Sequence, residues 1–293
     1  MKQIKVNQYD AFSRKPHKGN PAGVVFKADS LTDHEMQLIA TKAKFSETAF
    51  ILPSSSAELH IRYFTPGQEV DLCGHATIAS LYALYTNNML SKKKLTIETK
   101  AGILPIKIED NDQVLITMNQ ARPSFHPFNG SKDELASALG ITVHDFSSDL
   151  PIVYGSTGSW TLIVPLKSLT ACQKIQPLSK RFPQLLTDFP RASIHPFCFE
   201  TVHKDAHMHG RHFSSPYSGV VEDPVTGTAS GVMGAYYATY VHDSAFSSMN
   251  LLVEQGLEIE RDGLVYVKVE NSRDLCISIA GEAVYAETKT ILI

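Results

Sequence analysis

The sequence has no CxxC pair. Its four cysteines, Cys73, Cys172, Cys198 and Cys276, are widely scattered. That spacing supports neither a zinc knuckle nor a thioredoxin-type motif, and reduced thiols are expected. No apolar run is long enough to span a bilayer. The segment Met1-Lys2-Gln3-Ile4-Lys5-Val6 alternates as a strand does and lacks the apolar core of a signal peptide, so a cytoplasmic location is expected. Excess charge is also missing: the net charge is -3 and only 19% of residues are charged. This balance gives no general attraction to nucleic acid or to an anionic membrane surface. Nor is there a phosphate loop. Gly155-Ser156-Thr157-Gly158-Ser159 lacks the Gly-Lys-Ser/Thr ending and a following helix, and reads as a hairpin turn.

What is present is apolar and strand-rich. The chain has 293 residues, 43% of them hydrophobic, which suits a globular protein of two domains. Short segments rich in Val, Ile, Thr and aromatics predict strands at Ile4–Tyr9, Thr48–Leu52, Leu59–Phe64, Leu95–Thr99, Ile103–Ile108, Val114–Met118, Trp160–Val164, Leu251–Val253 and Leu264–Val269. Arg261-Asp262-Gly263 predicts a hairpin turn between the last two. Capping-box spacing in Thr32-Asp33-His34-Glu35 and Ser131-Lys132-Asp133-Glu134 predicts two helix starts, the second helix ending near Gly140. Pro177–Leu186 suits another short helix. Ala76–Leu90 is apolar nearly all round, the mark of a buried helix. Thr228–His242, rich in Gly, Ala and Tyr, is fit for close packing.

These last two helices belong to a duplication. Arg62-Tyr63-Phe64-Thr65 leads into Leu72-Cys73-Gly74-His75-Ala76-Thr77. Far downstream, Arg211-His212-Phe213-Ser214 leads into Pro224-Val225-Thr226-Gly227-Thr228-Ala229, a separation too long for a solenoid period. Glu98 and Gly102 follow the first copy as Glu254 and Gly256 follow the second. Upstream, Ser46-Glu47-Thr48-Ala49-Phe50 is set against Phe197-Cys198-Phe199-Glu200-Thr201. Each copy reads as strand, turn, Gly and small-residue helix start. The expected fold class is α+β, with two pseudo-symmetric domains, each a curved sheet around one apolar helix. The boundary is expected within Asn119–Ser124, giving domains over 1–119 and 120–281.

Helix starts carry chemistry, because their first amides are unpaired donors for a carboxylate or enolate oxygen. Gly74 and Gly227 let a ligand approach the backbone closely. His75 stands at the first helix start, where it either moves a proton or simply caps the turn. Asp223 precedes Pro224 just ahead of the second, and either orients a ligand amine or caps the turn. Thr228 presents a hydroxyl beside the Gly227 and Thr228 amides. Glu47 lies where a helix ends and an apolar strand begins; burial at such an edge would suit it to proton transfer, whereas exposure would make it an ordinary strand-start residue. His207-Met208-His209 puts two imidazoles on one strand face, but no carboxylate or Cys completes a familiar metal spacing.

The segments together resemble the PhzF family of phenazine-biosynthesis-like isomerases, over essentially the whole chain and in order. The residues that carry the resemblance are Asp10-Ala11-Phe12, Gly19-Asn20-Pro21-Ala22-Gly23-Val24-Val25, Phe45-Ser46-Glu47-Thr48-Ala49-Phe50, Arg62-Tyr63-Phe64-Thr65-Pro66, Asp71-Leu72-Cys73-Gly74-His75-Ala76-Thr77, Glu222-Asp223-Pro224-Val225-Thr226-Gly227-Thr228-Ala229 and Glu254-Gln255-Gly256. The resemblance implies a diaminopimelate epimerase-like fold: two barrels, each around a central helix, with the active site in the cleft between them. It also implies return of segment 282–293 to the first domain, a homodimer, a small carboxylate-bearing substrate, and no cofactor or metal. Glu47 would be the acid/base, with His75 and Asp223 as catalytic partners and Gly74, Gly227, Thr228 and Cys73 around the substrate. The related epimerases use two opposed Cys residues. Here Cys73 fills the first position and Thr226 the second, and a hydroxyl is a far weaker acid than a thiol, whose pKa is roughly 8.5. A symmetric two-thiol racemase is therefore disfavoured. An epimerase or racemase with Cys73 as one base, and a small-molecule binding protein without turnover, stand as the alternatives.

Overall fold

Strand dominates the computed structural model, which describes residues 2–293. Among the described residues there are nineteen strands and six α-helices, a mixed α/β architecture rich in sheet. No helix is long and apolar enough to cross a membrane. The chain divides into two compact units, Met1–Asn119 with Ala280–Ile293, and Gln120–Ile279.

In the first unit, β1 (Gln3–Ala11) pairs antiparallel with β2 (Asn20–Val25) and with the strand Ala283–Leu292. β2 runs parallel to β3 (Glu47–Leu52), and β3 antiparallel to β4 (Leu59–Phe64). β4 folds back onto the short β5 (Glu69–Val70) and pairs in parallel with β6 (Lys94–Thr99). β7 (Gly102–Asp110) and β8 (Val114–Asn119) continue as an antiparallel meander. β2 carries no clear strand pattern in the sequence, because Pro21 and Gly23 weaken it and the neighbouring strands enforce it.

The helix α1 (Asp33–Ala43) starts at the expected capping box: the Thr32 side chain accepts from the Glu35 amide and the Glu35 carboxylate accepts from the Thr32 amide. Such a cap contributes about 1 kcal/mol. Met36, Ile39, Ala40 and Ala43 bury against a cluster that includes Val6, Val25, Phe50 and Phe64. Lys44, left-handed at φ 61°, ends the helix and releases the chain toward β3. The buried helix α2 (Gly74–Thr86) packs against β1, β2, β3, β8 and the strand Ala283–Leu292. It stops short of the expected Leu90. Asn87 Nδ2 bonds the Ala83 carbonyl at 2.8 Å and Asn88 turns left-handed at φ 56°, two devices that terminate a helix whatever the apolar pattern beyond.

In the second unit, β9 (Ser124–Pro127), β10 (Val153–Ser156) and β11 (Trp160–Pro165) are antiparallel neighbours, so the Gly155–Ser159 segment does turn a hairpin. β11 runs parallel to β12 (Ser193–Cys198). That strand meets β13 (Met208–Gly210) and β14 (His212–Phe213), and β14 meets β15 (Glu222–Asp223). β13 runs parallel to β16 (Ser248–Gln255), which pairs with β17 (Gly263–Asn271); β18 (Leu275–Gly281) follows. The link between β16 and β17 is longer than the expected turn. It contains a 3-10 turn at Leu257–Ile259 and left-handed Gly256 and Glu260.

Three short helices, α3 (Lys132–Leu139), α4 (Leu169–Gln173) and α5 (Phe182–Leu185), cover a core of Tyr154, Leu162, Val164, Ile194 and Phe213. α3 is capped as expected by Ser131 and ends at left-handed Gly140. The long α6 (Gly227–Tyr240) packs against β10 and β17. A Cβ on Gly234 would fall 2.5 Å from Val267 Cγ1, so this close approach depends on glycine.

The duplication is visible in the pairing registers. His60 pairs with Glu98 across β4 and β6, as His209 pairs with Glu254 across β13 and β16. Phe64 faces Glu69, as Phe213 faces Glu222. Arg62 binds Glu69 and lies over Phe64, as Arg211 binds Glu222 and lies over Phe213. One expected match fails. Thr48 pairs with Phe64, and its counterpart opposite Phe213 is Ile194. The segment equivalent to Ser46–Phe50 thus begins at Ala192 and not at Phe197, and Ser193 stands in the place of Glu47. Local residue similarity was a weaker guide than the ladder, whose period allows no slippage once both faces are packed.

Candidate active site

The candidate residues form two groups, one in each unit. In the first, Lys44 turns the chain and β3 begins at Glu47, while Cys73 in extended conformation (φ -138°) precedes the first turn of α2. The side chain of Cys73 does not cap the helix amides. His75 projects from that first turn. Its Nε2 lies 3.3 Å from Glu47 Oε2 and 3.5 Å from Ser46 Oγ, and its Nδ1 lies 3.4 Å from Cys73 Sγ. One donor atom from each of Glu47, Cys73 and His75 lies within 4.8 Å of the others. Glu47 is neither the exposed strand-start residue nor a fully buried one. Its side chain keeps 21% exposure, yet Oε2 is buried and accepts no hydrogen bond from any described residue. Gly74 has no atom within 4 Å of where a Cβ would sit, so packing within the protein does not require glycine there.

Below this surface the helix start is held rigidly. Thr77 Oγ1 donates to the Cys73 carbonyl at 2.7 Å and shares a 2.6 Å hydrogen bond with the Tyr63 hydroxyl. Both residues are fully buried. These bonds fix the Cys73–His75 backbone against β4. They use residues whose apolar neighbours gave no sequence sign of a polar contact.

In the second unit Ser230 repeats the role of Thr77, its hydroxyl donating to the Thr226 carbonyl at 3.0 Å. The Thr226 hydroxyl does not cap α6; it donates to the Asp223 carboxylate. Gln255 secures the turn from β16. Its Oε1 accepts from the Thr226 amide at 3.1 Å, and its Nε2 donates to the Asp223 carbonyl at 2.7 Å. Thr228 follows Gly227 in the first turn, and its carbonyl accepts from Thr157 Oγ1 at 3.1 Å. Gln255 was not singled out from its residue type. Its sequence signal was its place in Glu254-Gln255-Gly256, one of the segments that carry the resemblance.

The two-imidazole strand resolves differently. His209 is enclosed between Glu254 Oε1 at 2.8 Å and Glu258 Oε1 at 2.9 Å, one on each ring nitrogen. Burial acts to lower its pKa, but the two carboxylate hydrogen bonds outweigh it and raise the value to about 9. A protonated ring with both N–H groups committed has no lone pair for a metal. His207 is used elsewhere: its Nδ1 accepts from the Leu252 amide at 3.0 Å. The carboxylates that hold His209 lie about 45 residues away in sequence, which hid them from a reading of local spacing.

Residues 9–289 match the profile of the phenazine biosynthesis-like protein family. An uncharacterized isomerase of Bacillus subtilis, YfhB, is 56% identical over 296 residues, covering 100% of both chains. The trans-2,3-dihydro-3-hydroxyanthranilate isomerase of Pseudomonas aeruginosa is 32% identical, covering 97% of this chain and 98% of that one. The crystal structure of a PhzF-family phenazine biosynthesis protein from Bacillus anthracis superposes with a TM-score of 0.98 at 55% identity, over 100% of both chains.

Proposed function

The chain belongs to the phenazine biosynthesis-like protein family and is an isomerase, and on that premise we propose that it moves a proton between carbons of a small carboxylate-bearing metabolite without a cofactor, with Glu47 as the acid/base. The observation that carries the reading is the grouping of Glu47 and His75, 3.3 Å apart at the start of α2. A carboxylate with a buried oxygen that lacks a hydrogen-bond donor is suited to accept a proton from carbon, and an imidazole beside it can stabilise the charge that then develops.

In this reading Glu47 removes a proton from one carbon and returns it at a second on the same face of the substrate. His75 orients the reacting group. The backbone at Gly74 and Gly227 offers helix-start amides to a carboxylate or enolate oxygen, and the open space at Gly74 leaves room for close approach. Asp223, aligned by Thr226 and Gln255, binds and orients the substrate, and Thr228 adds a hydroxyl. In this proposal residues of both units serve one substrate, as the family resemblance implies. A cyclic or amino-acid-like carboxylate is the favoured class. The homodimer implied by the resemblance belongs to the same proposal and is checked by light scattering.

The test is exchange in heavy water, after a thermal-shift screen of cyclic and amino-acid-like carboxylates identifies a ligand. Deuterium should enter the substrate at carbon, and Glu47→Gln should abolish that exchange while leaving binding largely intact. Undiminished exchange in the variant removes Glu47 from the role. A second reading, epimerisation with Cys73 as one base, is favoured by the 3.4 Å approach of Cys73 Sγ to His75 Nδ1. Near-normal turnover of Cys73→Ala excludes it.

A further inference from the structure

The group at the start of α2 offers one sulfur, one imidazole nitrogen and one carboxylate oxygen to a single point. This donor set matches a borderline-soft divalent cation, above all zinc. Zinc bonds of about 2.0–2.2 Å to N and O and about 2.3 Å to S place tetrahedral donor atoms about 3.3–3.6 Å apart. His75 Nε2 lies 3.3 Å from Glu47 Oε2 and 3.8 Å from Cys73 Sγ, close to two edges of such a tetrahedron. The three donor atoms fall within 4.8 Å of one another, so small side-chain rotations close the third edge.

Two further observations point to a ligand there. Glu47 Oε2 is buried and accepts no hydrogen bond from any described residue, so an acceptor that folding has taken out of water keeps its lone pairs available. The three side chains come from two elements held on the same pair of strands, since β3 pairs with β4. Glu47 opens β3, while the Cys73–His75 turn is tied to β4 through Thr77 and Tyr63. A metal site whose ligands are held before binding loses little entropy on capture.

We propose that Glu47, Cys73 and His75 form a zinc-binding site with three protein ligands and one position open to water. Binding deprotonates the Cys73 thiol, releases that proton to solvent, and uses the neutral imidazole of His75 through Nε2. The cation is a competitor for these groups and not a participant in the reaction proposed above. Capture follows from the donor geometry alone and holds whether or not Glu47 is the acid/base.

The test uses the full chain and the metal alone. Wild-type protein is titrated with Co²⁺ and Zn²⁺ in competition with a chromophoric chelator at neutral pH. One equivalent should bind, with a cobalt–thiolate charge-transfer band in the near ultraviolet that Zn²⁺ displaces. Cys73→Ser should abolish the band, and both it and His75→Asn should weaken zinc binding at least about 100-fold, since even loss of an outer-shell partner costs about 10–100-fold. Cys276→Ser, which removes the exposed thiol, should change neither. Absence of the band from the wild-type protein overturns the proposal without recourse to any variant. So does its disappearance in Cys276→Ser, or unchanged zinc affinity in Cys73→Ser or His75→Asn.

Discussion

Asp223 occupies the ladder position that Val70 occupies in the other copy. Tyr63 faces Val70 across β4 and β5, and His212 faces Asp223 across β14 and β15. Three residues further on, the same registration sets Cys73 against Thr226, then Gly74 against Gly227 and His75 against Thr228. The backbone scaffold is duplicated, while the side chains differ at these positions: Val70 against Asp223, Cys73 against Thr226 and His75 against Thr228. Glu47 has Ser193 as its counterpart.

Replacing Asp223 by the residue of the other copy tests this asymmetry directly. Asp223→Val fits the same strand position and removes the acceptor of the Thr226 hydroxyl. Proton exchange into substrate should fall by at least about 100-fold, the lower range for a positioned acid/base or charged group. The melting temperature should shift by only a few degrees. Activity within about threefold of wild type would remove Asp223 from the site.

Gln255 is a positioning residue whose loss should be felt in stability as well as in turnover. It is fully buried and satisfies both the Thr226 amide and the Asp223 carbonyl. Gln255→Leu leaves two partly buried backbone groups without their Gln255 partner, each costing about 1–3 kcal/mol. A loss of roughly 2–6 kcal/mol in urea unfolding is expected. Gln255→Glu keeps an acceptor for the Thr226 amide but sets a buried carboxylate against the Asp223 carbonyl, and should recover none of that loss.

The two arginines at equivalent positions should differ in importance. Arg211 is buried, doubly bonded to Glu222 at 2.9 and 2.8 Å, and donates to the carbonyls of Cys172 and Ile175. Arg62 binds Glu69 and the largely exposed Asp33. Arg211→Leu should cost about 3–5 kcal/mol, because it strands a buried carboxylate and two carbonyls. Arg62→Leu should cost about 1 kcal/mol, as partly solvated pairs do. Equal losses in denaturant unfolding would contradict this.

The His209 cluster should set the pH range of stability. Burial opposes the charge on His209, but its bonds to Glu254 and Glu258 raise its pKa from 6.5 to about 9. Its contribution is therefore complete below about pH 6.5 and is lost as pH rises through about 9. Burial likewise opposes charge on Glu254 and Glu258, yet hydrogen bonds, chiefly from His209, hold both below their ordinary 4.5. Their contribution is present above that value and is lost as pH falls through the depressed ones. The melting temperature should form a plateau bounded by these limits. His209→Gln should flatten its alkaline edge, and an unchanged edge would place the titration elsewhere.

Nine strands, both capped helices and the two small-residue helices were legible in the sequence, because period, capping spacing and apolar content are local properties. So was Glu47 as a candidate, from its place between a helix end and an apolar strand; its assignment as acid/base came only through resemblance, since a Glu at a strand start carries no local mark of burial. The strands β2 and β15 were not legible: β2 is interrupted by Pro21 and Gly23, β15 spans only Glu222–Asp223, and both exist because neighbours supply their hydrogen bonds. Gln255 and the carboxylates around His209 were hidden for a related reason. A polar residue acquires its role from whichever buried groups the fold brings to it.

The sequence by itself determined the duplication, the helices that follow Gly74 and Gly227, and the residue types placed there. Those features follow from side-chain chemistry and spacing along one stretch of chain. The tertiary structure alone decided that Ser193 answers Glu47, that Asp223 answers Val70, and that Glu47, Cys73 and His75 share one small volume. Pairing register and the convergence of β3 on α2 depend on hydrogen bonds and packing between distant segments, which no local pattern encodes.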